Sequence, residues 1–438
     1  MCKQIITEAL LADILSVSRA TIEKWKIIGK IKPSKNGQYC LEDLQHFDPI
    51  KWIINSQWEE QQKITPIRKY KSIELFAGAG GLAIGLEKAG FHNMVLNELD
   101  KDSCKTLRFN RPHWNVIEKD ISKVDFSDYS QYSVDLLSGG FPCQAFSYAG
   151  NKLGFEDVRG TLFFEFARAI KELQPKVFLG ENVRGLLNHD QGKTLETIKS
   201  IIEELGYILI KPKVLKAIFY RVPQKRERLF LIGIRKDLFK YTNFRWPDPF
   251  SKIMTLRDAL KKGDLYDQDC PPSSGQNYPT KKQKVMEMVP PGGCWIDLPE
   301  DVKREYMGKS YFLGGGKTGI ARRLSFELPS LTLTCSPAQK QTERCHPEET
   351  RPLTIREYAR VQTFPDDWNF IGSISSQYRQ IGNAVPINLA WALGNQLVAV
   401  LNQIENRVEN HSMRVSNIEN NQQMNLFDFD FYVQKTKS

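Results

Sequence analysis

Apolar segments of strand length alternate with helical segments between residues 72 and 235. The predicted strands are SIELF (72–76), NVIEKDI (115–121), VDLLS (134–138), KVFLGENV (176–183), YILIKPKVLKA (207–217) and RLFLIGIR (228–235). The predicted helices between them lie at 101–109, 162–173 and 195–206, where apolar residues recur at helical spacing. Such alternation predicts an α/β fold: a doubly wound, mostly parallel sheet with its sites at the carboxyl ends of the strands.

Residues 1–50 are predicted to form a small separate helical module. The segment ITEALLADIL has helical spacing, and in VSRATIEKW the residue Ser18 is placed to cap a second helix. This pattern resembles the helix-turn-helix modules of small bacterial regulators and excisionases. That resemblance implies DNA binding, with Arg19, Lys24 and Lys26 facing phosphates or base edges. The alternative is a helical domain that contacts another protein.

The rest of the chain divides by composition. Residues 51–70 are polar and charged and indicate a linker, and 71–245 carry the alternating strands and helices. Residues 246–350 are rich in proline, glycine and short basic clusters, which favours a smaller, loop-rich second domain. Residues 351–405 return to regular structure and include a long apolar helix. The polar tail, 406–438, is predicted to be disordered.

Composition narrows the class of protein. The 438 residues carry a net charge of +10, which suggests a polyanionic partner. The eight cysteines are too few for a disulfide scaffold and none forms a CxxC pair, so we expect neither a zinc site nor any other metal. The N-terminus lacks the pattern of an export signal, and we find no apolar run that predicts a membrane span. We therefore expect a reduced, cytoplasmic protein.

The loop at 139–150, GGFPCQAFSYAG, follows the predicted strand VDLLS and holds Pro142 and Cys143. A cysteine on a loop at the carboxyl end of a strand is placed where an open α/β sheet keeps its chemistry. Two interpretations fit this loop alone: a nucleophile, or the small buried hydrophobe that most free cysteines are.

A glycine turn follows the first strand. Gly78, Gly80 and Ala83 fit the pattern G-x-G-x-x-A, and Glu98 lies about 20 residues on, at the end of the next strand. The pattern indicates an adenosine-bearing ligand but does not choose between a nicotinamide cofactor and S-adenosylmethionine. Glu98, Asp120, Cys143 and Glu181 all fall at predicted strand ends, which favours a common site.

Seven blocks occur in the order typical of one enzyme family. They are SIELFAGAGGLAIGL, NELD (97–100), GGFPCQAFS, ENV (181–183), VPQKRERLF (222–230), RPLTIREYARVQTFPDDW (351–368) and QIGNAVPIN. Together they resemble the DNA cytosine-5 methyltransferases of bacterial restriction-modification systems, over about residues 72–401. The resemblance implies the S-adenosylmethionine-dependent methyltransferase fold, that cofactor, and a double-stranded DNA substrate.

The resemblance also implies roles for particular residues. The thiolate of Cys143 would add to carbon 6 of cytosine and thereby activate carbon 5. Glu181 would supply a proton or hydrogen bond to the ring nitrogen N3 and would benefit from a raised pKa. Arg226 and Arg228 would clamp the base carbonyl or a phosphate.

The implied cofactor site draws on several of the same blocks. Leu99 stands where some relatives carry an aromatic residue that stacks on adenine, so the packing of the adenine is left open. The cofactor-binding residues implied by the resemblance are Phe76, Gly78, Gly80, Glu98, Asp120, Pro142 and Asn383.

A stacked cytosine cannot present carbon 6 to a thiolate, so the base must be flipped out of the duplex. The loop 147–160, with Gly150 and Gly154 as hinges, is the candidate to close over it. The resemblance assigns 246–350 to target recognition. The candidate side chains there for guanine edges or phosphates are Arg322, Arg323, Gln339, Gln341, Thr342 and Arg344.

Three alternatives stay open at this point. A tRNA cytosine-5 methyltransferase would share the fold, a nicotinamide-dependent oxidoreductase would share the glycine turn, and a DNA-binding regulator would use only the N-terminal module. We expect a monomer in the cytoplasm, associated with the nucleoid of a bacterium or archaeon. The tail sequence QMNLF, with Gln423, Leu426 and Phe427, resembles the peptides that dock bacterial DNA-processing proteins on the sliding clamp.

Overall fold

The structure is a computed structural model, and it describes residues 4–34, 36–142, 161–312, 314 and 319–407. In this part of the chain the strands are β1 (Ile5–Ile6), β2 (Tyr39–Cys40), β3 (Tyr70–Leu75), β4 (Phe91–Glu98), β5 (Asn115–Glu118), β6 (Leu136–Gly139), β7 (Val177–Val183), β8 (Tyr207–Leu209), β9 (Lys213–Lys216), β10 (Gln224–Lys225), β11 (Glu227–Arg235) and β12 (Ser330–Leu331). The predicted strands are present, with 207–217 divided into β8 and β9.

Eight of these strands form one central sheet in the order β5-β4-β3-β6-β7-β11-β8, with β9 also paired to β11. The neighbours from β5 to β7 are parallel, whereas β11 is antiparallel to β7, β8 and β9. The sheet is therefore mostly parallel, as predicted. Its parallel half brings the carboxyl ends of β3, β4, β6 and β7 to one edge.

The helices are α1 (Glu8–Leu15), α2 (Arg19–Ile27), α3 (Asp48–Ile54), α4 (Trp58–Gln62), α5 (Gly81–Lys88), α6 (Lys101–Asn110), α7 (Ser127–Ser130), α8 (Leu162–Leu173), α9 (Lys193–Glu204), α10 (Lys236–Phe239), α11 (Leu256–Leu260), α12 (Thr280–Glu287), α13 (Glu300–Met307), α14 (Ile355–Val361), α15 (Ile374–Asn383) and α16 (387–407). Their positions between the strands confirm the doubly wound arrangement.

Alternate residues of each strand point to opposite faces of the sheet, and both faces are buried. Leu136 and Val177 belong to one core, together with residues of α5 and α16. Their chain neighbours Leu137 and Phe178 belong to the other core, together with residues of α8 and α9. Helices thus cover both faces, which is why the strands are nearly continuous apolar runs.

The most apolar helix, α16, lies inside this arrangement. By length and composition alone the run Ile374–Arg407 could cross a membrane, but 89% of its most apolar stretch is buried within the protein. Leu389, Leu393 and Leu397 pack in the same core as the sheet residues. The apolar character of α16 therefore serves the core of the fold.

The N-terminal module begins with two helices joined through residues 16–18. Thr7 caps α1, and the Ser18 side chain caps α2 by accepting a hydrogen bond from the Thr21 amide, as the sequence predicted. Strands β1 and β2 form an antiparallel pair beside these helices. The module shares its apolar core with the central sheet, so it is packed onto the body of the protein.

The segment 51–70 differs from the linker that its polar composition indicated. It contains the end of α3 and all of α4, and Trp58 is only 3% exposed. The Trp58 ring contacts the rings of Phe250 and Trp391 edge-on. Trp58 therefore anchors this polar segment against the core, and average composition conceals such an anchor.

The region 246–350 is loop-rich, with three short helices (α11–α13) and the two-residue strand β12. Strand β12 pairs in parallel with β10, which lies in the preceding region 71–245. A separate apolar cluster that includes Met286, Val289 and Cys345 forms much of its interior. The tail from residue 408 onward lies outside the described residues.

Candidate active site

A cavity of about 440 Å3 lies at the edge where the parallel strands end. Residues from the ends of β3, β4, β6 and β7 line it, together with residues from α15 and the turn that follows α15. We call this cavity the strand-end pocket. The predicted site residues that line it are Phe76, Gly78, Glu98, Pro142, Glu181, Arg228 and Asn383.

The glycine turn forms one wall of the strand-end pocket. Gly78 and Gly80 have φ values of 55° and 89°, which explains why glycines are needed at both positions. The Gly78 amide donates to Oε2 of Glu98 over 2.7 Å, while Oε1 of Glu98 accepts from the amides of Leu99 and Asp100. The Glu98 carboxylate therefore fixes the turn across two strands and faces the pocket.

Glu181 and Arg228 form an ion pair at the opposite wall. Nε of Arg228 lies 2.7 Å from Oε1 of Glu181, and the two side chains are 15% and 13% exposed. Burial raises the pKa of Glu181, and the positive charges of Arg228 and Arg226 oppose that rise. A carboxyl group in this position holds a proton more readily than an exposed one, which suits it to donate a hydrogen bond.

A glycine allows the close approach of Glu181 to the preceding loop. A Cβ atom added at Gly140 would lie 2.9 Å from Oε2 of Glu181. The neighbouring Asn182 donates from Nδ2 to the carbonyl oxygen of Phe141 over 2.8 Å. These two contacts tie the end of β7 to the loop after β6, where Pro142 lines the pocket.

Cys143 itself lies outside the described residues, as do Gly150, Gly154 and the rest of 143–160. The chain enters that segment from Pro142, which lines the same pocket as Glu181. Phe141 is 3% exposed and packs against the rings of Phe163 and Phe166. The start of the loop is therefore held firmly at the pocket.

Arg226 does not lie where the sequence analysis placed it. Its side chain is 1% exposed and does not line the strand-end pocket. Its guanidinium donates to the carbonyl oxygens of Leu333, Gly382 and Asn383 at 3.3, 2.9 and 3.4 Å. Arg226 therefore holds the backbone at Asn383, since its two terminal guanidinium nitrogens donate to backbone carbonyl oxygens.

Two predicted cofactor residues lie outside the pocket lining. Gly80 caps the start of α5, behind the pocket wall. Asp120 lies two residues beyond β5 and is exposed; its Oδ1 accepts from the amide and hydroxyl of Ser122 at 3.0 and 2.8 Å. Those hydrogen bonds lower the pKa of Asp120. Asp120 therefore caps a local turn, and the structure does not bring it together with the other site residues.

Sequence reasoning missed Glu74, which also lines the strand-end pocket. Glu74 is 2% exposed, and its Oε2 has no hydrogen-bond partner in the part of the chain that the structure describes. Burial raises the pKa of Glu74 to about 8. A single acidic residue inside the apolar strand SIELF was the available signal, because buried carboxyl groups without ionic partners are rare in structural roles.

The candidate side chains for DNA recognition separate into two groups. Arg323 and Arg344 are each 5% exposed and donate to backbone carbonyls, including those of Met286 and Thr332, so they support the fold. Gln339 and Gln341 are exposed. Of these four residues, only the two glutamines are presented to an incoming partner. Within the described ranges, no group of three or more His, Cys, Asp or Glu side chains is arranged to hold a metal ion.

Comparisons with known proteins agree with this geometry. Residues 70–399 match the family model of the C-5 cytosine-specific DNA methylases. The chain is 60% identical to the Type II methyltransferase M.Eco47II of Escherichia coli over 412 residues, covering 93% of this chain and 98% of that protein. It is 57% identical to M.PspPI of Psychrobacter over 399 residues, covering 90% of this chain and 96% of that protein.

A solved structure is similar as well. It is a DNA modification methyltransferase encoded within an Escherichia coli prophage, with a TM-score of 0.56 and 25% sequence identity. The match covers 76% of this chain and all of that one. The fold similarity thus extends through the sheet and beyond it.

Proposed function

The chain belongs to the C-5 cytosine-specific DNA methylases, and from that premise we propose how its residues perform the reaction. The enzyme transfers a methyl group from S-adenosylmethionine to carbon 5 of a cytosine in a specific sequence of double-stranded DNA. The observation that carries the proposal is the largely buried Glu181–Arg228 pair, which lines the same strand-end pocket as Gly78 of the glycine turn. The carboxyl group of Glu181, whose pKa is raised, thus lines a cavity at the strand ends that can take a ligand.

The residues of the strand-end pocket fit S-adenosylmethionine, which supplies the methyl group when bound. Phe76, Gly78 and Asn383 would contact it, and the Glu98 carboxylate suits ribose hydroxyls. Glu74 presents a buried oxygen without a partner among the described residues, which suits a hydrogen-bond donor or cationic group of the ligand. Asp120 would need to approach from outside the present lining.

Cys143 would act as the nucleophile. Its thiolate adds to carbon 6 of cytosine, which makes carbon 5 reactive. The residue directly follows Pro142, which shares the pocket lining with Glu181. A thiol of ordinary pKa is mostly protonated at neutral pH, so the site must stabilise the thiolate or remove the proton. The loop that begins at Pro142 is the element that would bring Cys143 to the base.

Glu181 would donate a hydrogen bond to N3 of the cytosine ring as Cys143 adds. The raised pKa of Glu181 favours the protonated form that can donate. Arg228 would orient that carboxyl through the 2.7 Å contact and stabilise charge on the base. The cytosine must leave the duplex to reach these groups, because a stacked base exposes neither carbon 6 nor N3 to them.

The biological setting follows from the similar proteins. M.Eco47II and M.PspPI are Type II methyltransferases, so we propose that this enzyme modifies DNA within a restriction-modification system. Its methylation would protect host DNA from a cognate endonuclease. The enzyme would then act in the cytoplasm, at the nucleoid. Family membership leaves the nicotinamide-dependent alternative without support.

The test of the proposal is Cys143→Ser, compared with Cys270→Ser as a matched control. Cys270 lies in the loop-rich region 246–350 and does not line the strand-end pocket. We expect Cys143→Ser to abolish transfer of labelled methyl groups to duplex DNA while S-adenosylmethionine still binds in calorimetry. A serine hydroxyl does not supply the attacking anion. Substantial turnover by Cys143→Ser would remove Cys143 from its role.

Two further assays determine the target sequence and whether the substrate is DNA or tRNA. Bisulfite sequencing of DNA from cells that express the enzyme should show one modified sequence motif. Parallel assays with duplex DNA and tRNA distinguish the proposed enzyme from a tRNA methyltransferase of the same fold. Transfer to tRNA alone would contradict the proposal.

A contact with the sliding clamp is a separate proposal. Gln423, Leu426 and Phe427 lie outside the described residues, and the case depends on bulky apolar side chains in a polar tail. A labelled peptide spanning 420–431 should bind purified clamp in fluorescence polarisation, and Leu426→Ala should weaken that binding. Equal binding by wild-type and variant peptides would end this proposal.

A further inference from the structure

A second cavity, of about 690 Å3, lies where three parts of the chain meet. Arg19 of α2 contributes from the N-terminal module, and Lys225 of β10 contributes from the catalytic part. Arg322 and the segment 290–297 contribute from the loop-rich region. We call this cavity the basic groove. Neither the family model, which begins at residue 70, nor the strand-end pocket includes Arg19.

The walls of the basic groove are held together by specific contacts. Nζ of Lys225 lies 2.7 Å from Oδ2 of Asp13, which joins the module to the catalytic part. Nη1 of Arg322 donates to the carbonyl oxygen of Gly292 over 2.7 Å. These contacts give the groove a fixed shape, because each links residues that are distant in sequence.

The segment 51–70, which follows the module, is also fixed to the rest of the protein. Nε1 of Trp52 and Nε2 of Gln61 both donate to Asp248, over 3.0 and 3.1 Å. The apolar core of the module is continuous with that of the sheet. Arg19 therefore keeps a constant position relative to Lys225 and Arg322, as a binding surface requires.

The basic groove carries more positive than negative charge, although Lys225 is paired with Asp13 and Arg323 is buried against backbone carbonyls. The basic residues in its lining are Arg19, Lys225, Arg322 and Arg323, and the acidic residue is Asp297. The Asp297 carboxylate already accepts a hydrogen bond from the Cys294 amide over 2.8 Å. Arg19 is exposed, and its positive charge acts on the nearby carboxylate of Asp13. The groove therefore suits a polyanion.

We propose that the basic groove binds backbone phosphates of the duplex that flanks the target cytosine. The N-terminal module would then hold the same DNA molecule as the catalytic part, through Arg19. Lys225 and Arg228 are three residues apart, so their Cα atoms are at most about 11 Å apart. That separation equals about three base pairs of duplex DNA. The inference deepens the proposed function, since it names the DNA that the groove would take.

The experiment compares Arg19→Glu with Lys51→Glu in the full-length protein. Lys51 is an exposed residue of α3, the helix at the end of the module, and does not line the basic groove. Both substitutions change the net charge equally, and a glutamate in the first turn of α2 is compatible with the helix. Binding of a labelled mixed-sequence duplex of about 30 base pairs is measured by anisotropy over a range of salt concentrations.

We expect Arg19→Glu to weaken binding about tenfold at low salt and to reduce the slope of log affinity against log salt by about one unit. Lys51→Glu should change neither by a comparable amount. Equal weakening by both variants would overturn the proposal, because net charge alone would explain it. No effect of Arg19→Glu would also overturn it, and matched melting temperatures would confirm that both variants fold.

This experiment separates the groove from the proposed reaction. Methyl transfer by the wild-type protein is assayed on the same duplex after the target sequence has been added to it. Absence of transfer would contradict the proposed function. The salt dependence of DNA binding would then still test the basic groove on its own. A normal salt response of Arg19→Glu with active wild-type protein would contradict the groove alone.

Discussion

The strand-end pocket and the basic groove differ in how their charged side chains are held. In the pocket, Glu181 and Arg228 are mostly buried and joined over 2.7 Å, and the Glu98 carboxylate is fixed by three amides. In the groove, Arg19 is exposed to solvent. Chemistry on a base requires fixed geometry in a low dielectric, whereas holding a polyanion requires mainly charge at the right place.

The segment QKRER contributes to both regions and shows the difference within a few residues. Lys225 lines the basic groove, Arg226 holds backbone carbonyls, and Arg228 pairs with Glu181 in the strand-end pocket. By our proposals Lys225 serves DNA binding and Arg228 serves the chemistry, while Arg226 supports the fold. Substitutions in each should produce a different measurable defect.

The largest effect is expected for Glu181→Gln. Glutamine keeps the shape of the side chain but cannot transfer a proton, so we expect kcat to fall about 10²- to 10⁴-fold. Affinity for duplex DNA and its salt dependence should stay close to those of the wild type. Single-turnover transfer of labelled methyl groups measures the first, and anisotropy measures the second. A fall in DNA affinity with normal kcat would contradict the division between the two regions.

The next effect separates Arg226 from Arg228. Arg226→Ala would leave a cavity and three carbonyl acceptors without their donor, so we expect a loss of about 3 kcal/mol in the free energy of unfolding. Arg228→Ala should cost less stability because the Glu181 carboxyl can take up a proton once its partner is gone. It should nevertheless lower kcat strongly.

Urea unfolding of the two arginine variants, beside methyl-transfer assays, gives both quantities. Equal losses in the free energy of unfolding would mean that Arg226 and Arg228 contribute equally to stability, which would contradict the difference we predict. A fully stable Arg226→Ala protein would contradict the role that we assign to Arg226.

A smaller effect concerns pH and Glu74. The pKa of Glu74 is raised to about 8 in the folded protein from an ordinary value near 4.5. The folded state therefore binds more protons than the unfolded state between these values, and stability should fall as pH rises from about 5 to about 8. Glu74→Gln should flatten that decline. Melting temperatures of wild type and variant across this range measure it, and parallel curves would contradict it.

The smallest effect should come from salt alone. Raising salt from about 50 to about 200 mM screens contacts with phosphates far more than contacts inside a buried pocket. We expect the KM for DNA to rise while kcat at saturating DNA changes little. Steady-state kinetics at several salt concentrations test this. A large fall in kcat would show that the strand-end pocket is itself sensitive to screening.

The sequence predicted much of the sheet and of the pocket because the signals are local. Helix α8 has the bounds that the spacing of LFFEFARAIKEL indicated, and Ser18 caps α2 as expected. Glycines in the first turn and polar residues at strand ends placed Gly78, Glu98 and Glu181 at one edge. Parallel strands align their carboxyl ends whatever packs around them.

Other features were missed because their partners lie far away in the sequence. Trp58 seemed part of a linker until its contacts with Phe250 and Trp391 appeared. Arg323 and Arg344 have the chemistry of DNA-binding residues, yet both are buried against backbone carbonyls. Residue type predicts what a side chain can bind, and only packing decides which acceptor it meets.

The sequence by itself therefore determined the doubly wound sheet, the glycine turn and the family, because periodicity and contiguous motifs are properties of short segments. The tertiary structure decided that Arg228 pairs with Glu181. It also decided that Arg226 donates to Gly382, which lies more than 150 residues further along the chain. It also decided that Arg19 joins Lys225 in one groove. Such contacts arise when distant elements bury their apolar faces together, and no local pattern encodes which polar groups that burial brings together.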